Sequence, residues 1–287
     1  MEIRETVRET MARIFEDTKN WYESDQDLKQ AAAYAAEHTK LYRAKEYPAI
    51  PEADSQRKTE IHVSADKSFQ AASRLHEQYP EARIAVHNFA SATNPGGGVK
   101  NGSRAQEESL CRCSLLYPCL KQTWLWESYY LYHRNRADVK YTDACIYSPD
   151  VLVIKSDTDF PERLSKEKWF PVDILTCAAP NLRRKPNNIM NPGNDHAISL
   201  TDQELFEIHV SRARHMLTIA AANQDDILIL GAFGCGAFRN SPDVVARAYQ
   251  TVLHESAFKN RFLHVEFAIF HTSRETANYD AFRKVFT

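Results

Sequence analysis

Two adjacent acids, Glu107 and Glu108, stand close behind a triple glycine at positions 96–98, separated from it by seven residues and Gln106. Neighbouring carboxyl groups can divide acid and base work, because the charge of one raises the pKa of the other. Consecutive glycines can turn several backbone N–H groups toward an anion or a sugar. The stretch therefore predicts a site where a polar ligand meets a carboxyl group able to transfer protons.

The segments on either side of this stretch predict the elements that hold it. An apolar run at 84–86 begins a predicted strand over 84–89 before the glycines, and Leu110, Leu115 and Leu116 suit a helix over 106–117. Both acids then fall in the first helical turn, where the helix dipole favours negative charge. An acidic first turn is common without any substrate, so the pair by itself leaves a purely structural interpretation open.

A second glycine cluster strengthens the functional interpretation. Gly231, Gly234 and Gly236 follow the apolar run 227–230 and precede Ser241-Pro242, a typical start of a helix. A strand, glycine loop and helix in this order can bind a diphosphate through backbone N–H groups. The same glycine spacing also occurs in tight turns that bind no ligand. Neither the Rossmann order of glycines nor a Walker Gly-Lys-Ser/Thr is present.

Apolar strands and amphipathic helices alternate from about residue 60 to residue 285, which predicts a three-layer α/β/α sandwich around a mostly parallel or mixed sheet. Ligands then bind at the carboxyl ends of the strands. The segment 2–43 predicts two helices, and prolines interrupt the pattern between 47 and 56. We therefore expect an accessory helical segment over 1–58 and a catalytic domain over 59–287, with a hairpin or broken strand at 145–155 and a long loop at 185–200.

Composition excludes several classes of protein. The net charge of −2 provides no overall basic field, so no duplex nucleic acid is expected as a partner. No apolar run reaches the roughly 18 residues of a membrane span and no secretory signal is visible, so we expect an intracellular protein, cytoplasmic or nuclear. The six cysteines are expected to be reduced, and the spacing of Cys111, Cys113 and Cys119 favours structural thiols over a zinc site.

Beyond these patterns, five motifs together resemble the bacterial and fungal type of poly(ADP-ribose) glycohydrolase, a macrodomain-related family. They are Asn-Phe-Ala-Ser-Ala-Thr-Asn-Pro at 88–95, the triple glycine followed by Gln-Glu-Glu at 106–108, Glu-Ser-Leu-Cys at 108–111, Ala-Ala-Pro-Asn at 178–181, and Gly-Ala-Phe-Gly-Cys-Gly at 231–236. The resemblance covers about residues 60–287 and implies a macrodomain-like fold. The leading helices are similar to an accessory segment of the family, and neither a metal nor a cofactor is implied.

The resemblance also implies roles for individual residues. Glu108 would be the catalytic carboxylate, while Glu107 and Asn94 would position the terminal ribose. The remaining implied ligand contacts are Gly96, Gly97 and Gly98 along the ribose, Gln106 of the signature, Gly234, Cys235 and Gly236 at the diphosphate, and Phe238 over the end of that loop. Phe270 is a candidate for stacking on adenine, although an aromatic residue at a strand end is more often core. His271 stands where the family often has an acid.

The implied reaction is exo-type hydrolysis of ribose–ribose O-glycosidic bonds, acting on poly(ADP-ribose) or ADP-ribosylated proteins and releasing ADP-ribose. Glu108 would begin protonated, protonate the leaving 2′-oxygen and then deprotonate water. Two alternatives share the same pocket: a non-catalytic ADP-ribose-binding macrodomain, and a hydrolase of mono-ADP-ribosyl or acyl-ADP-ribose substrates. Cys235 lacks His and Asp neighbours in sequence and is interpreted as a small turn residue, and His87 and His271 as structural residues.

Overall fold

A seven-stranded mixed sheet forms the centre of the protein in the computed structural model, which describes residues 5–53, 57–187 and 196–287. Its strands are β1 (Lys40–Tyr42), β2 (Glu60–Ser64), β3 (Ile84–Phe89), β4 (Cys145–Val153), β5 (Phe170–Cys177), β6 (Ile227–Leu230) and β7 (His264–Ala268), in the spatial order β1-β4-β5-β3-β6-β7-β2. The five strands from β5 to β2 run parallel, whereas β4 and β1 are antiparallel to their neighbours.

Helices cover both faces of the sheet. They are α1 (Val7–Ser24), α2 (Gln26–Glu37), α3 (Ser68–Gln78), α4 (Gln106–Cys113), α5 (Leu116–Leu120), α6 (Thr123–Leu125), α7 (Leu131–Arg136), α8 (Asp202–Ala222), α9 (Pro242–Leu253) and α10 (Ala277–Phe286). A π-helical turn, Trp126–Tyr130, joins α6 to α7, and short 3-10 turns occupy Val99–Asn101 and Lys166–Lys168. No helix in the described ranges is both long and apolar enough to span a bilayer.

The alternation of side chains along the strands creates two cores. On β3, Ile84 and Val86 pack with α1 to α5, whereas Ala85 between them packs with α8 and α9. Successive side chains of a strand point to opposite faces, so a strand that is apolar at every position is buried on both sides. The arrangement confirms the predicted macrodomain-like three-layer α/β/α sandwich with a mixed sheet and an N-terminal helical extension.

The leading segment contributes to the same structure in two ways. Its strand β1 pairs with β4, and its helix α1 is tied to the main fold by the buried Lys155, whose ammonium donates to the Ile14 carbonyl at 2.9 Å and lies 2.7 Å from Asp17. The Thr18 hydroxyl also donates to the Arg112 carbonyl at 2.6 Å. The boundary at residue 58 stays a prediction, and residues 54–56 beside it lie outside the described ranges.

Two local predictions were wrong. The helix expected over 106–117 is interrupted at Ser114, whose extended backbone bridges Val153 and whose hydroxyl accepts the N–H of Leu116. The second is β1, which lies where only helix was expected. Of the two alternatives predicted at 145–155, the structure has the broken strand: residues 145–153 form one strand with an irregularity around Asp150, where φ is +52°. Of the predicted loop at 185–200, residues 188–195 lie outside the described ranges.

Candidate active site

The two glycine loops meet because the strands before them are neighbours. β3 and β6 pair in parallel, with Val86 opposite Ile229, so the residues after both strands emerge at the same edge of the sheet. Gly231 lies directly against the end of β3: a Cβ there would come within 2.9 Å of the Phe89 ring and of the Ala268 carbonyl oxygen. Both loops thus lie at the carboxyl ends of central parallel strands, the edge of the sheet where ligands bind in α/β proteins.

The first loop wraps its backbone around the two acids. Gly97 has a φ of +57°, and a Cβ at this position would lie 2.5 Å from Oε1 of Glu108 and 3.0 Å from Oε2 of Glu107. Any side chain would therefore displace the carboxyl groups and would also strain the backbone. The triple glycine and the acid pair, separated in sequence, form one compact unit.

In each acid, one carboxyl oxygen accepts a hydrogen bond from the protein backbone and the other has no partner among the described residues. Oε1 of Glu108 accepts the N–H of Gly98 at 2.8 Å, and Oε2 of Glu107 accepts the N–H of Ser91 at 2.8 Å. The second oxygens, Oε2 of Glu108 and Oε1 of Glu107, are buried and have no hydrogen-bond partner among the described residues. Buried polar atoms are rarely left unpaired, so these two oxygens are candidates for contact with a ligand.

Burial controls the charge of the pair. Desolvation, and after it the neighbouring charge of Glu108, raises the pKa of Glu107 well above its ordinary value, although the hydrogen bond from the Ser91 N–H partly offsets this. The site therefore retains a proton at pH values where an isolated glutamate has lost it. A carboxyl pair that retains a proton is what general acid catalysis requires.

Gln106 holds the start of α4 at the end of β3. Its Oε1 accepts the N–H of Phe89 at 2.9 Å, while its Nε2 donates to the His87 carbonyl at 2.7 Å and to the Ser68 hydroxyl at 3.0 Å. These bonds fix the first helical turn, which carries both acids, relative to the sheet. Its predicted ligand contact stays a prediction.

Asn94 sits at the entrance of the first loop. Its side-chain amide donates to the Gly97 carbonyl, and its backbone N–H donates to the Ser91 hydroxyl at 3.1 Å. The residue is half-buried and lines a cavity together with Gly97. This places the predicted ribose-positioning side chain beside the acid pair.

The far end of the loop is held by the leading helix α1. Nε of Arg8 donates to the Asn101 carbonyl at 2.6 Å, and buried Arg112 donates to the Ser103 carbonyl at 2.6 Å. Gly102 has a φ of +71°, and a Cβ there would lie 1.9 Å from the Arg8 carbonyl oxygen. The accessory segment therefore packs directly on the loop that carries the candidate chemistry.

The second loop is organised by Asn240, which the sequence analysis did not select. Its amide donates to the carbonyls of Pro180 at 2.8 Å, Phe238 at 3.2 Å and Gly234 at 3.3 Å, and its oxygen lies 2.7 Å from Nε2 of His209. The signal available in the sequence was an asparagine directly before the Ser-Pro start of α9. A buried amide that joins two carbonyls of this loop to the Pro180 carbonyl fixes the loop conformation.

The glycines of this loop differ in their surroundings. A Cβ on Gly234, where φ is +77°, would lie 2.5 Å from the Cβ of Ala179, whereas a Cβ on Gly236 would meet nothing within 4 Å. Within the described residues, the N–H groups of Gly234 and Gly236 donate to no protein acceptor. The predicted diphosphate site thus presents free backbone donors on an open surface.

The side chains near this loop have distinct environments. Burial, followed by the charge of Asp243, raises the pKa of the Cys235 thiol, which supports its interpretation as a turn residue and not as a nucleophile. Phe238 is half-buried, with the Arg183 guanidinium 5.4 Å from its ring centroid.

Burial, followed by the charge of His209, lowers the pKa of His87 in β3 to about 3, and Nδ1 of His87 lies 3.2 Å from the Tyr249 hydroxyl. His87 is a neutral structural residue.

Phe270 differs from the common expectation for a strand-end aromatic. Strand β7 ends at Ala268, and the Phe270 side chain is 54% exposed with the ammonium of Lys67 at 5.1 Å from its ring centroid. The expectation that it belongs to the core was wrong, because the chain has already left the sheet at this point. The exposed ring keeps a face available to a planar ligand.

Two further residues around the first loop were not selected from the sequence. Ser91 links the loop to the acid pair through its N–H, and its hydroxyl accepts the N–H of Thr93 at 3.3 Å as well as that of Asn94. Arg134 of α7 donates to the Thr93 carbonyl at 2.7 Å and lies 4.5 Å from the ring centroid of Trp126. Ser91 was within a quoted motif, whereas Arg134 comes from a segment with no recognisable pattern.

Comparisons with known proteins agree with this geometry. Residues 8–156 match the family described as microbial-type poly(ADP-ribose) glycohydrolase (PARG), catalytic domain. The structure of PARG from Thermomonospora curvata is 31% identical, with a TM-score of 0.83, and the match covers 97% of this chain and 100% of that chain. The same enzyme bound to the inhibitor ADP-HPD has a TM-score of 0.79 at 31% identity, covering 96% and 99% of the two chains.

PARG from Deinococcus radiodurans in complex with ADP-ribose has a TM-score of 0.73 at 33% identity, over 88% of this chain and 96% of that chain. A search of curated protein sequences found no match. The family match spans more than half of the sequence and includes the triple glycine, both acids and the leading helices. The chain belongs to the microbial-type poly(ADP-ribose) glycohydrolase family and is a glycosidase of that family.

Proposed function

We propose that this enzyme removes ADP-ribose units from the free end of poly(ADP-ribose) and that Glu108 performs the proton transfers. The observation that carries the assignment is the environment of Glu108: one oxygen is fixed by Gly98, and the other is buried and unpartnered. A general acid must present a free oxygen in a fixed position to the leaving group.

The polymer end binds along the sheet edge where the two glycine loops lie, and three of its groups have separate contacts. Asn94 and the glycine loop hold the terminal ribose, and the open N–H groups around Gly234 and Gly236 receive the diphosphate. Phe238 covers the end of that loop, and the exposed ring of Phe270 stacks on adenine, with Lys67 nearby.

The reaction proceeds in two proton-transfer steps. The proton held by the carboxyl pair passes from Glu108 to the leaving 2′-oxygen as the bond between that oxygen and the terminal C1″ breaks, and the electron pair of the bond stays on the oxygen. The diphosphate stabilises the positive charge that develops on the ribose. A water molecule then attacks C1″ and returns a proton to Glu108, which restores the pair.

Glu107 positions the sugar and keeps the proton within the site. Its buried Oε1, which has no partner among the described residues, accepts a hydrogen bond from a ribose hydroxyl, while its Oε2 stays fixed by Ser91. In this scheme Glu107 is not the group that protonates the leaving oxygen. The two acids share one proton and perform separate tasks.

The substrate and the cellular compartment are proposed on separate grounds. The exo preference rests on the family resemblance, and the partners are poly(ADP-ribose) or ADP-ribosylated proteins. All six cysteines are free thiols, five of them buried, which suits a reducing intracellular compartment, cytoplasmic or nuclear.

The decisive experiment combines polymer digestion with ligand binding. We expect Glu108→Gln to lower the rate of polymer degradation at least about 100-fold while the Kd for ADP-ribose, measured by calorimetry, stays within a few-fold. Glu81→Gln, an exposed change on the surface, is the control and should degrade polymer normally.

Release of mono-ADP-ribose from modified protein, followed in parallel, separates polymer hydrolysis from mono-ADP-ribosyl hydrolysis. Unchanged polymer degradation by the Glu108→Gln enzyme would exclude Glu108 as the acid. Wild-type enzyme that binds ADP-ribose and leaves polymer intact would point to a binding module.

A further inference from the structure

A cavity of about 460 Å³ opens on the side of the glycine loop that faces α5 and α6. Its wall includes Asn94 and Gly97 of the loop, and also Lys100, Tyr117, Lys121 and Trp126. We call it the basic cavity. None of the residues lining it comes from the second loop, 231–238, where the diphosphate of the terminal unit is proposed to bind.

Among the described residues, no carboxylate pairs with the two lysines of the basic cavity, Lys100 and Lys121. Ion pairs in the described part of the chain engage other lysines, such as Lys155 and Lys166, but neither Lys100 nor Lys121. The ammonium of Lys100 lies 5.6 Å from the ring centroid of Tyr117. Two lysines without an ion pair in the described ranges, in a cavity also lined by Tyr117 and Trp126, suit a ligand that carries both an anion and a planar base.

The position of the basic cavity relative to the acids fixes which ligand can reach it. The glycine loop touches Glu108 through Gly97 and Gly98, so the bond to be broken must lie beside these residues. From that bond, the terminal unit extends toward the second loop. The remainder of the polymer must leave the site in another direction, and the basic cavity begins at Gly97.

We propose that the basic cavity binds the ADP-ribose unit on the leaving side of the cleaved bond, with Lys100 and Lys121 facing its diphosphate and Trp126 or Tyr117 facing its adenine. The proposal rests on the proposed function, because it assigns the polymer beyond the bond broken by Glu108. It makes the enzyme selective for leaving groups that are nucleoside diphosphates over uncharged ones.

Two defined substrates separate this contribution from the rest of the site. One is a dimer of ADP-ribose units, whose leaving group carries a diphosphate. The other is ADP-ribosyl adenosine, with the same bond and a leaving adenosine without phosphate. For the Lys100→Ala/Lys121→Ala enzyme, we expect the ratio of kcat/KM for the dimer to kcat/KM for ADP-ribosyl adenosine to fall about tenfold, a change of ~1.4 kcal/mol.

The lysine effect should also depend on salt. Exposed charges are screened by ions, so the wild-type preference for the dimer should weaken as salt is added, and the preference of the double variant should change less. Lys121→Ala alone, which leaves the glycine loop intact, should give part of the effect. Lys259→Ala/Lys284→Ala removes the same charge from exposed sites elsewhere and should keep the wild-type ratio.

Binding measurements keep the two proposals distinguishable. In the Glu108→Gln background both substrates stay intact. Calorimetry should show that the lysine substitutions raise the Kd of the dimer about tenfold more than the Kd of ADP-ribosyl adenosine. An equal effect on both substrates would overturn the basic cavity as a leaving-side site. If the wild type cleaves neither substrate, the proposed function fails, and the same binding comparison still decides what the basic cavity binds.

Discussion

The backbone N–H of Gly98 donates to Oε1 of Glu108 over 2.8 Å, so the glycine loop itself fixes the position of this carboxyl group. A hydrogen bond from a backbone donor to a carboxylate orients the group without a flexible side chain in between. The other carboxyl oxygen of Glu108, Oε2, is buried and has no hydrogen-bond partner among the described residues. In the proposed mechanism, ligand positioning and proton transfer therefore depend on the same few backbone atoms.

Gly97→Ala should abolish most activity. Its added Cβ would lie 2.5 Å from Oε1 of Glu108 at a φ of +57°, so the carboxyl must move. Misplacement of a catalytic group by about 1 Å can cost on the order of 100-fold in rate, and we expect a loss of at least that size in kcat. Steady-state kinetics on polymer, with calorimetric unfolding to confirm a folded enzyme, measures it.

Gly236→Ala is the matched substitution for this test, because its added methyl group meets nothing within 4 Å. It should leave the Tm unchanged and act only through ADP-ribose affinity, since the diphosphate is proposed to lie there. Normal kcat in the Gly97→Ala enzyme would show that the glycine does not set the position of Glu108.

The raised pKa of Glu107 predicts how stability changes with pH. In the folded protein this carboxyl binds a proton more tightly than in the unfolded chain, where its pKa is near the ordinary 4.5. Above pH 4.5 the unfolded chain loses the proton while the folded protein keeps it, so the contribution of Glu107 to stability is lost as pH rises toward the folded pKa.

Glu107→Gln removes this titration. Urea unfolding of wild type and variant across a pH series should therefore show a free-energy difference that moves in favour of the variant as pH rises above 4.5. Glu81→Gln, at an exposed position, should show no such trend relative to wild type. Parallel curves for wild type and Glu107→Gln would contradict a raised pKa of Glu107 in the folded protein.

Phe270→Ala should weaken ADP-ribose binding without destabilising the fold. The ring is 54% exposed, so its removal leaves no cavity in the core. Stacking on a base contributes about 1 to 3 kcal/mol, which corresponds to a Kd raised roughly five- to 150-fold. Calorimetry with ADP-ribose and with ribose 5-phosphate, which lacks adenine, should show the loss for the first ligand only.

Tyr34→Ala is the control for Phe270→Ala, since Tyr34 is an aromatic residue of α2 that is 50% exposed. It should leave the affinity for ADP-ribose unchanged. Equal affinities of wild type and Phe270→Ala would remove Phe270 from the adenine site, whereas a large fall in Tm would show that the ring packs against the protein.

Much of the fold was predictable because its signals are local. β3 begins and ends at the predicted residues, 84 and 89, and α4 begins at Gln106 with both acids in its first turn. Hydrophobic period and helix-start signals act over a few residues and can be read directly. The break at Ser114 could not be read in this way, because it depends on pairing with Val153, which is distant in sequence.

The sequence by itself determined which residues are candidates for the chemistry. The scarcity of glycine elsewhere, the spacing of the triple glycine to the acid pair and the second glycine loop are all present in the order of residues. Only the tertiary structure decided how they work together, because side-by-side pairing of β3 with β6 brings the two loops to one edge. The environment of each side chain is likewise a property of the packed protein. Burial raises the pKa of Glu107, whereas Phe270 lies exposed beyond the end of β7. Asn240 is buried where its amide can reach the carbonyls that hold the second loop.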